Sequence, residues 1–263
     1  MDLYNKLQHP QKFFLIAGPC VVEDETLMFE TAEFLIKLCQ KRDILLIFKS
    51  SYQKANRTSE TSYTGPGSIS GLAILKKIKE TFQVPIITDV HETTEIAEAA
   101  SVADILQIPA FLSRQTSLIH AAAKSGRIIN IKKGQFMAPE DMEQAAKKVT
   151  SQNNFKVMLT ERGTTFGYHN LVVDFRSFAI LNDLGFPVIY DVTHSMQRPS
   201  ILNVSGGTPE YAGMMARAAL ATGKVQGLFI ETHPRPHEAM SDAASMVALE
   251  QMPDILDHCL SLF

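Results

Sequence analysis

Six lysine and arginine residues of this 263-residue chain stand at or just beyond the ends of short apolar segments. They are Lys49, Lys54, Arg57, Arg114, Lys132 and Arg162. Clustered arginine and lysine side chains suit phosphate and carboxylate groups, and arginine adds bidentate geometry. The net charge of the whole chain is −3, so no global basic field favours nucleic acid or an anionic membrane. Any anion site must therefore be built locally from these residues.

A second set of residues has the chemistry of metal ligands. It consists of Cys20, His194, Glu231 and Asp242. Thiolate and imidazole ligands favour Zn²⁺, Fe²⁺ or Mn²⁺ over Mg²⁺. Their spacing matches no standard zinc motif such as HExxH, and a single buried cysteine is most often a small core residue. The residues alone therefore leave two alternatives, a metal site and a structural cysteine.

Eight short runs of apolar, often β-branched residues recur along the chain, and longer amphipathic stretches separate them. The runs cover residues 13–18, 44–49, 85–90, 105–110, 127–132, 156–161, 187–192 and 227–232. Continuous apolar runs of this length are typical of strands that are buried on both faces of a parallel sheet. Residues 25–40 and 71–82 show helical spacing of apolar side chains. Pro139 and Pro209, each followed by an acidic residue, indicate two further helix starts.

Strands that alternate with helices leave two topologies, a closed barrel and a doubly wound sheet. The count of eight and the chain length favour a single (β/α)8 barrel that spans residues 1–263 as one catalytic domain. In this fold the carboxyl ends of the strands form the active-site face. Asp89 and Gln107 lie near the ends of the third and fourth runs, and Gln135 follows the fifth. We therefore expect the polar residues named so far to meet at one mouth of the barrel.

Composition and missing motifs exclude several classes of protein. No apolar run approaches the ~20 residues that a membrane span needs, and residues 1–12 lack the apolar core of a signal peptide. Three cysteines at unrelated spacings do not indicate a disulfide framework, and we expect Cys39 and Cys259 in the core. These features predict a cytoplasmic protein. The GxGxxG, GxxxxGK[ST] and GxSxG motifs of nucleotide-binding proteins and α/β-hydrolases are absent from the sequence.

Motifs spread over nearly the whole chain resemble those of one family. They are IAGPC (16–20), FKSSYQKANRTS (48–59), TDVHE (88–92), QIPAFLSRQT (107–116), NIKKGQF (130–136), LTERGTTFGYHNLVVDFRS (159–177), YDVTHSMQ (190–197), SGG (205–207), ETHPRP (231–236) and SDAAS (241–245). The family is that of the 3-deoxy-D-manno-octulosonate 8-phosphate synthases, also called 2-dehydro-3-deoxyphosphooctonate aldolases. KANR at residues 54–57 is its most specific element, because the related heptulosonate phosphate synthases carry KPRTS-like sequence there.

The resemblance implies a reaction in lipopolysaccharide synthesis, carried out by a homotetramer of (β/α)8 barrels. Phosphoenolpyruvate, D-arabinose 5-phosphate and water would give the eight-carbon keto acid phosphate and inorganic phosphate. By matching positions, phosphoenolpyruvate would be held by Lys49, Lys54, Lys132 and Arg162, with Gln107 and Gln135 nearby. Asn56 and Arg57 would contact the aldose and its phosphate, and Arg114 would reach the aldose phosphate of a neighbouring subunit. Asp89 would lie near the aldose or the metal, and the catalytic set would be Lys49, Lys54, Asp89, Lys132 and His194.

The family has metal-requiring and metal-free members, and the former carry cysteine where the latter carry asparagine. Cys20 and Gly134 both match the metal-requiring form. The resemblance thus implies one divalent ion per subunit, bound by Cys20, His194, Glu231 and Asp242. Three rivals stay open: a heptulosonate phosphate synthase that uses erythrose 4-phosphate, a barrel that only binds sugar phosphates, and an aldolase that does not use phosphoenolpyruvate.

Overall fold

The computed structural model describes residues 2–55, 63–199 and 206–263 of the chain. Its central element, within these residues, is a ring of eight strands. The strands are β1 (Phe14–Gly18), β2 (Leu45–Lys49), β3 (Ile86–Asp89), β4 (Ile105–Ile108), β5 (Ile128–Lys132), β6 (Val157–Glu161), β7 (Val188–Asp191) and β8 (Gly227–His233). Each lies within two residues of its predicted bounds.

Every neighbouring pair in the ring is parallel, and β1 pairs with β8. The closing register joins Phe14 to Gly227 and Gly18 to Glu231. The sheet is therefore a closed barrel, and the predicted (β/α)8 fold is confirmed. A doubly wound sheet would have left both edges open.

At least one helix follows each strand in the described ranges. The α-helices are Leu3–Gln8, Glu25–Gln40, Ser68–Phe82, Ile96–Val102, Thr116–Lys124, Met142–Thr150, Arg176–Asn182, Val192–Ser195, Ala212–Ala221 and Met252–Leu260. The helix predicted over residues 71–82 begins three residues earlier, at Ser68. The starts predicted at Pro139 and Pro209 are single 3-10 turns, Pro139–Asp141 and Pro209–Tyr211, that lead into the next helices.

Two apolar cores stabilise the barrel. The larger core lies between the strands and the surrounding helices. The smaller core fills the amino-terminal end of the barrel interior, where Phe14 and Phe229 pack with Tyr4 and Leu7 of the first helix. The hydroxyl group of Tyr4 donates to Val157 O at 2.9 Å and accepts from Val157 N at 3.2 Å. The first helix therefore closes the bottom of the barrel.

Two negative observations concern the described residues alone. None of their helices combines the length and the apolar character needed to cross a bilayer. Their three cysteines, Cys20, Cys39 and Cys259, are all buried and none forms a disulfide.

Candidate active site

The carboxyl ends of the strands surround a cavity of about 430 Å³. Its lining includes Lys49, Asp89, Lys132, His194 and Glu231, each at or just beyond the end of a different strand. The predicted convergence of these residues at one mouth is therefore present in the fold, because parallel strands of a barrel all end on the same face.

Gly18 makes the first strand end fit this arrangement. A Cβ atom at this position would lie 2.1 Å from the carbonyl oxygen of Lys49, which no side chain tolerates. The close approach of β1 and β2 lets the ammonium group of Lys49 donate to Cys20 O at 3.0 Å. Glycine in the GPC motif thus positions both a candidate metal ligand and a candidate substrate ligand.

A thiol and two carboxylates meet on one side of the cavity. One ligand atom from each of Cys20, Glu231 and Asp242 lies within 4.8 Å of the others, and Cys20 Sγ is 3.0 Å from Asp242 Oδ2. Glu231 Oε2 is buried without a hydrogen-bond partner among the described residues. Asp242 has a positive φ of 50°, an uncommon conformation that often accompanies function. The cluster is compatible with a divalent metal ion.

His194 is not part of this three-residue group in the described part of the chain, but it lies beside Glu231. Its Nε2 atom lies 3.7 Å from the unpartnered Glu231 Oε2, while its Nδ1 atom faces both oxygens of Asp191 at 2.9 and 3.0 Å. A carboxylate behind a histidine fixes the ring orientation and leaves the other nitrogen for a metal. This arrangement fits the predicted ligand role of His194.

The protein environment by itself disfavours a thiolate at Cys20. Burial, followed by the negative charges of Asp242 and Glu231, raises the pKa of the Cys20 thiol well above its usual value. Metal coordination deprotonates a thiol outright. The donor set therefore fits a cation, because a positive ion would offset the repulsion that these three groups otherwise share.

Asp89 belongs to a buried polar network beneath the cavity. Gln107 donates to Asp89 Oδ1 at 2.7 Å and accepts from Asn130 at 2.9 Å, and Ser51 donates to Asp89 Oδ2. Burial alone would raise the pKa of Asp89, but the positive charges of Lys49 and other lysines outweigh it and hold that pKa far below its usual range. Asp89 is therefore a fixed carboxylate. Gln107 is fully buried and lies under Asp89, so its predicted proximity to substrate stays a prediction.

Three further polar residues form a cationic side of the cavity. Lys132 donates to Asp191 at 2.6 Å and its ammonium lies 3.8 Å from the centre of the Phe229 ring. Arg162 Nη1 and Gln135 Oε1 are buried and have no hydrogen-bond partner within the described part of the chain. Unsatisfied buried groups are costly, and a guanidinium N–H without a partner beside a cavity is suited to bind an anion.

The remaining predicted residues fall into three places. Lys54 lines the cavity, and although burial disfavours its ammonium, the acidic groups around it raise its pKa. Arg114 is exposed and is not one of the residues that line this chain's cavity. Asn56 and Arg57 lie outside the described residues.

Two residues that sequence reasoning passed over take part in the site. Asp191 orients both Lys132 and His194. Gln197 accepts from Arg162 at 3.1 Å and donates to Asp242 at 3.2 Å, and so joins the cationic side to the metal-ligand cluster. Asp191 stands at a strand end, so the rule that selected Lys132 would have found it. Gln197 ends the YDVTHSMQ motif, but it follows no strand end that would have selected it.

The fold and cavity define a (β/α)8-barrel protein with lysine and arginine side chains beside a thiol and carboxylate cluster. Comparison with known proteins identifies the family. The chain belongs to the DAHP synthetase I family, whose model matches residues 8–261.

Curated relatives named 2-dehydro-3-deoxyphosphooctonate aldolase share about half of its residues. The Geotalea uraniireducens protein is 50% identical over 252 residues, which cover 95% of this chain and 92% of the relative. The Citrifermentans bemidjiense protein is 51% identical over 243 residues, with 92% and 89% covered. The Legionella pneumophila (strain Paris) protein is 50% identical over 245 residues, with 93% and 89% covered. The resemblance that the motifs indicate is confirmed.

Proposed function

We propose that this chain condenses phosphoenolpyruvate with D-arabinose 5-phosphate and water to give 3-deoxy-D-manno-octulosonate 8-phosphate and phosphate. The observation that carries the proposal is one cavity lined by Lys132, by Arg162 with its unpartnered Nη1 atom, and by Glu231 and Asp242 of the Cys20, Glu231 and Asp242 cluster, as far as the described residues go. Such a cavity can hold a dianionic reactant next to a second reactant. The product is a precursor of lipopolysaccharide.

The proposed chemistry joins C3 of phosphoenolpyruvate to the aldehyde carbon of the aldose. Electrons move from the enol double bond to the aldehyde, negative charge grows on the aldehyde oxygen, and positive character grows at C2. Water attacks C2, and phosphate then leaves by cleavage of its bond to that carbon. Holding both reactants in line supplies up to ~7–11 kcal/mol of the barrier.

The cationic residues have a binding and orienting role in this proposal. Arg162 and Lys132, with Gln135 beside them, offset the repulsion between the phosphate and carboxylate of phosphoenolpyruvate. Lys49 is held by Glu231 at 2.6 Å, so its position is fixed before substrate arrives. Lys54 adds a further positive charge on the same wall.

Asp89 is the proposed acceptor of a proton or hydrogen bond from the aldose side. Its carboxylate lines the cavity and stays ionised because lysines surround it. Asn56 and Arg57 are proposed to hold the aldose phosphate, because they belong to the KANR motif of the family.

A divalent metal ion would be held by Cys20, His194, Glu231 and Asp242 and would supply an electrophilic centre that orients the aldose. We propose that this ion is required. The thiol and imidazole ligands suit Zn²⁺, Fe²⁺ or Mn²⁺.

The proposal extends to the assembly of the subunits and to the location of the protein. An exposed Arg114 next to Phe111, which is 56% exposed, suits a homotetramer in which one subunit completes the aldose phosphate site of another. We propose that residues 1–263 form one catalytic domain that works in the cytoplasm, where three unpaired thiols stay reduced. A heptulosonate phosphate synthase that uses erythrose 4-phosphate is less well supported, because residues 54–57 read KANR.

The test measures phosphate release from phosphoenolpyruvate with each aldose in turn. The assay is run before chelation, after chelation, and after each metal ion has been added back. We expect turnover with arabinose 5-phosphate in preference to erythrose 4-phosphate, loss on chelation and recovery with metal. Cys20→Ala is expected to abolish recovery. Cys39→Ala, a buried cysteine of helix Glu25–Gln40, is the matched control and is expected to keep it. Full activity of the chelated wild-type enzyme would refute the metal requirement, and preference for erythrose 4-phosphate would refute the substrate.

A further inference from the structure

Lys133 is a fully buried cation that does not line the cavity. It directly follows Lys132, whose ammonium group does face the cavity. Burying an ammonium group is costly unless neighbouring groups compensate it. The proposed chemistry does not use Lys133, so its burial requires another explanation.

The ammonium group of Lys133 contacts two loops at once. In the loop after β5 it lies 3.4 Å from Gly134 O and 3.3 Å from Met137 O. In the loop after β6 it lies 3.0 Å from Thr164 Oγ1 and 3.5 Å from Gly163 O. The side chain therefore bridges the loops that follow neighbouring strands.

Glu161 completes this bridge from the end of β6. Its Oε1 atom lies 3.4 Å from Lys133 Nζ and accepts from Gly163 N at 2.7 Å. Burial lowers the pKa of Lys133, and Glu161 opposes that effect. The carboxylate thus holds both the lysine and the start of the second loop.

The two bridged loops carry two side chains of the anion site proposed above. Gln135 belongs to the first loop and Arg162 begins the second, and both line the cavity. Arg162 Nη1 is a buried donor without a partner in the described residues. The loops also meet through their backbones, because Thr165 N donates to Gln135 O at 3.0 Å. A shift of one loop against the other would separate the two side chains.

We propose that Lys133 is a positioning residue for phosphoenolpyruvate: by tying the loops after β5 and β6 together, it holds Gln135 and Arg162 in the geometry that binds the anion. The inference rests on the function proposed above. Pre-organised groups bind more tightly because less ordering is left to occur on binding.

The test compares Lys133→Met with the wild-type enzyme by calorimetric binding of phosphoenolpyruvate and by steady-state kinetics. We expect the KM and Kd for phosphoenolpyruvate to rise about 10–100-fold, as for other small misplacements near a site, with a much smaller change in the KM for arabinose 5-phosphate. Wild-type affinity for phosphoenolpyruvate in Lys133→Met would overturn the inference. If wild-type enzyme itself fails to bind phosphoenolpyruvate, the proposed function has failed instead.

Lys79→Met is the matched control for loss of a bridging lysine. Lys79 donates to Val102 O at 2.8 Å and pairs with Asp104 at 2.7 Å, at the opposite end of the strands. This variant is expected to lower the melting temperature and leave the KM for phosphoenolpyruvate unchanged. An equal rise of that KM in both variants would mean that general destabilisation is the cause.

A double variant separates positioning from charge compensation. Lys133→Met with Glu161→Gln removes both charges, so no uncompensated carboxylate stays buried. The double variant is therefore destabilised less than Lys133→Met alone. We expect its melting temperature to recover towards the wild-type value while its Kd for phosphoenolpyruvate stays high. If the double variant binds phosphoenolpyruvate as tightly as the wild type, Lys133 only neutralises Glu161 and the inference is wrong. Should Lys133→Met alone be too unstable to measure, the double variant provides the test.

Discussion

At the amino-terminal end of the strands the barrel interior is apolar and closed, whereas at the carboxyl end it is ionic and open. Phe14 packs under the first helix at the closed end, and Phe229 of the same core reaches the ammonium group of Lys132. At the open end Arg162 and Glu231 each keep a buried polar atom without a partner among the described residues. The comparison indicates that one end of the same strands supplies stability and the other holds groups poised for a ligand.

Among these variants, replacing Arg162 should give the largest loss of ligand binding at the open end with the least change in stability. Arg162→Ala is expected to weaken phosphoenolpyruvate binding by about 2–5 kcal/mol, the usual cost of truncating one partner of a buried charge pair. The melting temperature should change little, because the variant loses the hydrogen bond to Gln197 but also removes the unpartnered, buried Nη1 atom. Calorimetry and thermal unfolding measure the two quantities. The control is Arg176→Ala, at an exposed arginine paired with Asp174. Equal weakening of phosphoenolpyruvate binding in this variant would contradict the assignment of binding to the open end.

Replacing Asp191 tests whether the open end depends on its supporting residues. Asp191→Asn keeps an acceptor for the backbone N–H of His194, which Asp191 now caps at 2.9 Å, but loses the charge behind the imidazole ring. If the proposed metal site is right, we expect about 10–100-fold weaker metal affinity, measured by competition with a chelator.

The control for Asp191→Asn is Asp24→Asn, at the start of helix Glu25–Gln40, where Asp24 accepts from Leu27 N. It makes the same chemical change at a helix start away from the cavity. Unchanged metal affinity in Asp191→Asn would show that the orientation of His194 does not depend on this carboxylate.

Replacing Tyr4 should give the smallest effect of these variants. It should lower the stability of the closed end and leave the site unchanged. Tyr4→Phe removes the hydrogen bonds to Val157 and is expected to lower the free energy of unfolding by about 1 kcal/mol, measured by urea denaturation. The KM values for phosphoenolpyruvate and arabinose 5-phosphate should be unchanged. Tyr168→Phe, at a tyrosine that is 96% exposed, should alter neither quantity. A raised KM in Tyr4→Phe would mean that the two ends are not separable.

The fold was predictable because each strand is buried on both faces and so forms a continuous apolar run. The run at residues 227–232 differs by a single residue from the observed Gly227–His233. The start of helix Ser68–Phe82 was not predictable from apolar spacing, because its first residues are polar or exposed and Ile69 is 79% exposed. The helix begins directly after Gly67, whose positive φ of 88° ends the preceding loop.

The site was predictable as a set of strand-end residues but not as a geometry. The carboxyl-end rule brings Cys20 and Glu231 together without any spacing motif. It does not distinguish a side chain in the cavity from one beneath it, as Gln107 shows, because that depends on the depth of each strand in the barrel. Gln197 belongs to a loop, and its contacts arise only once the barrel has closed. The chemistry itself came from the family motifs rather than from periodicity.

The bond between Tyr4 and Val157 spans 153 positions of the chain. During synthesis from the amino terminus, the first helix must wait until strand β6 has been made before it can dock. The ring closes later still, when Gly227 becomes available to Phe14. The earliest segment to be made is thus among the last to find its place, and its apolar face is open to other contacts in the meantime.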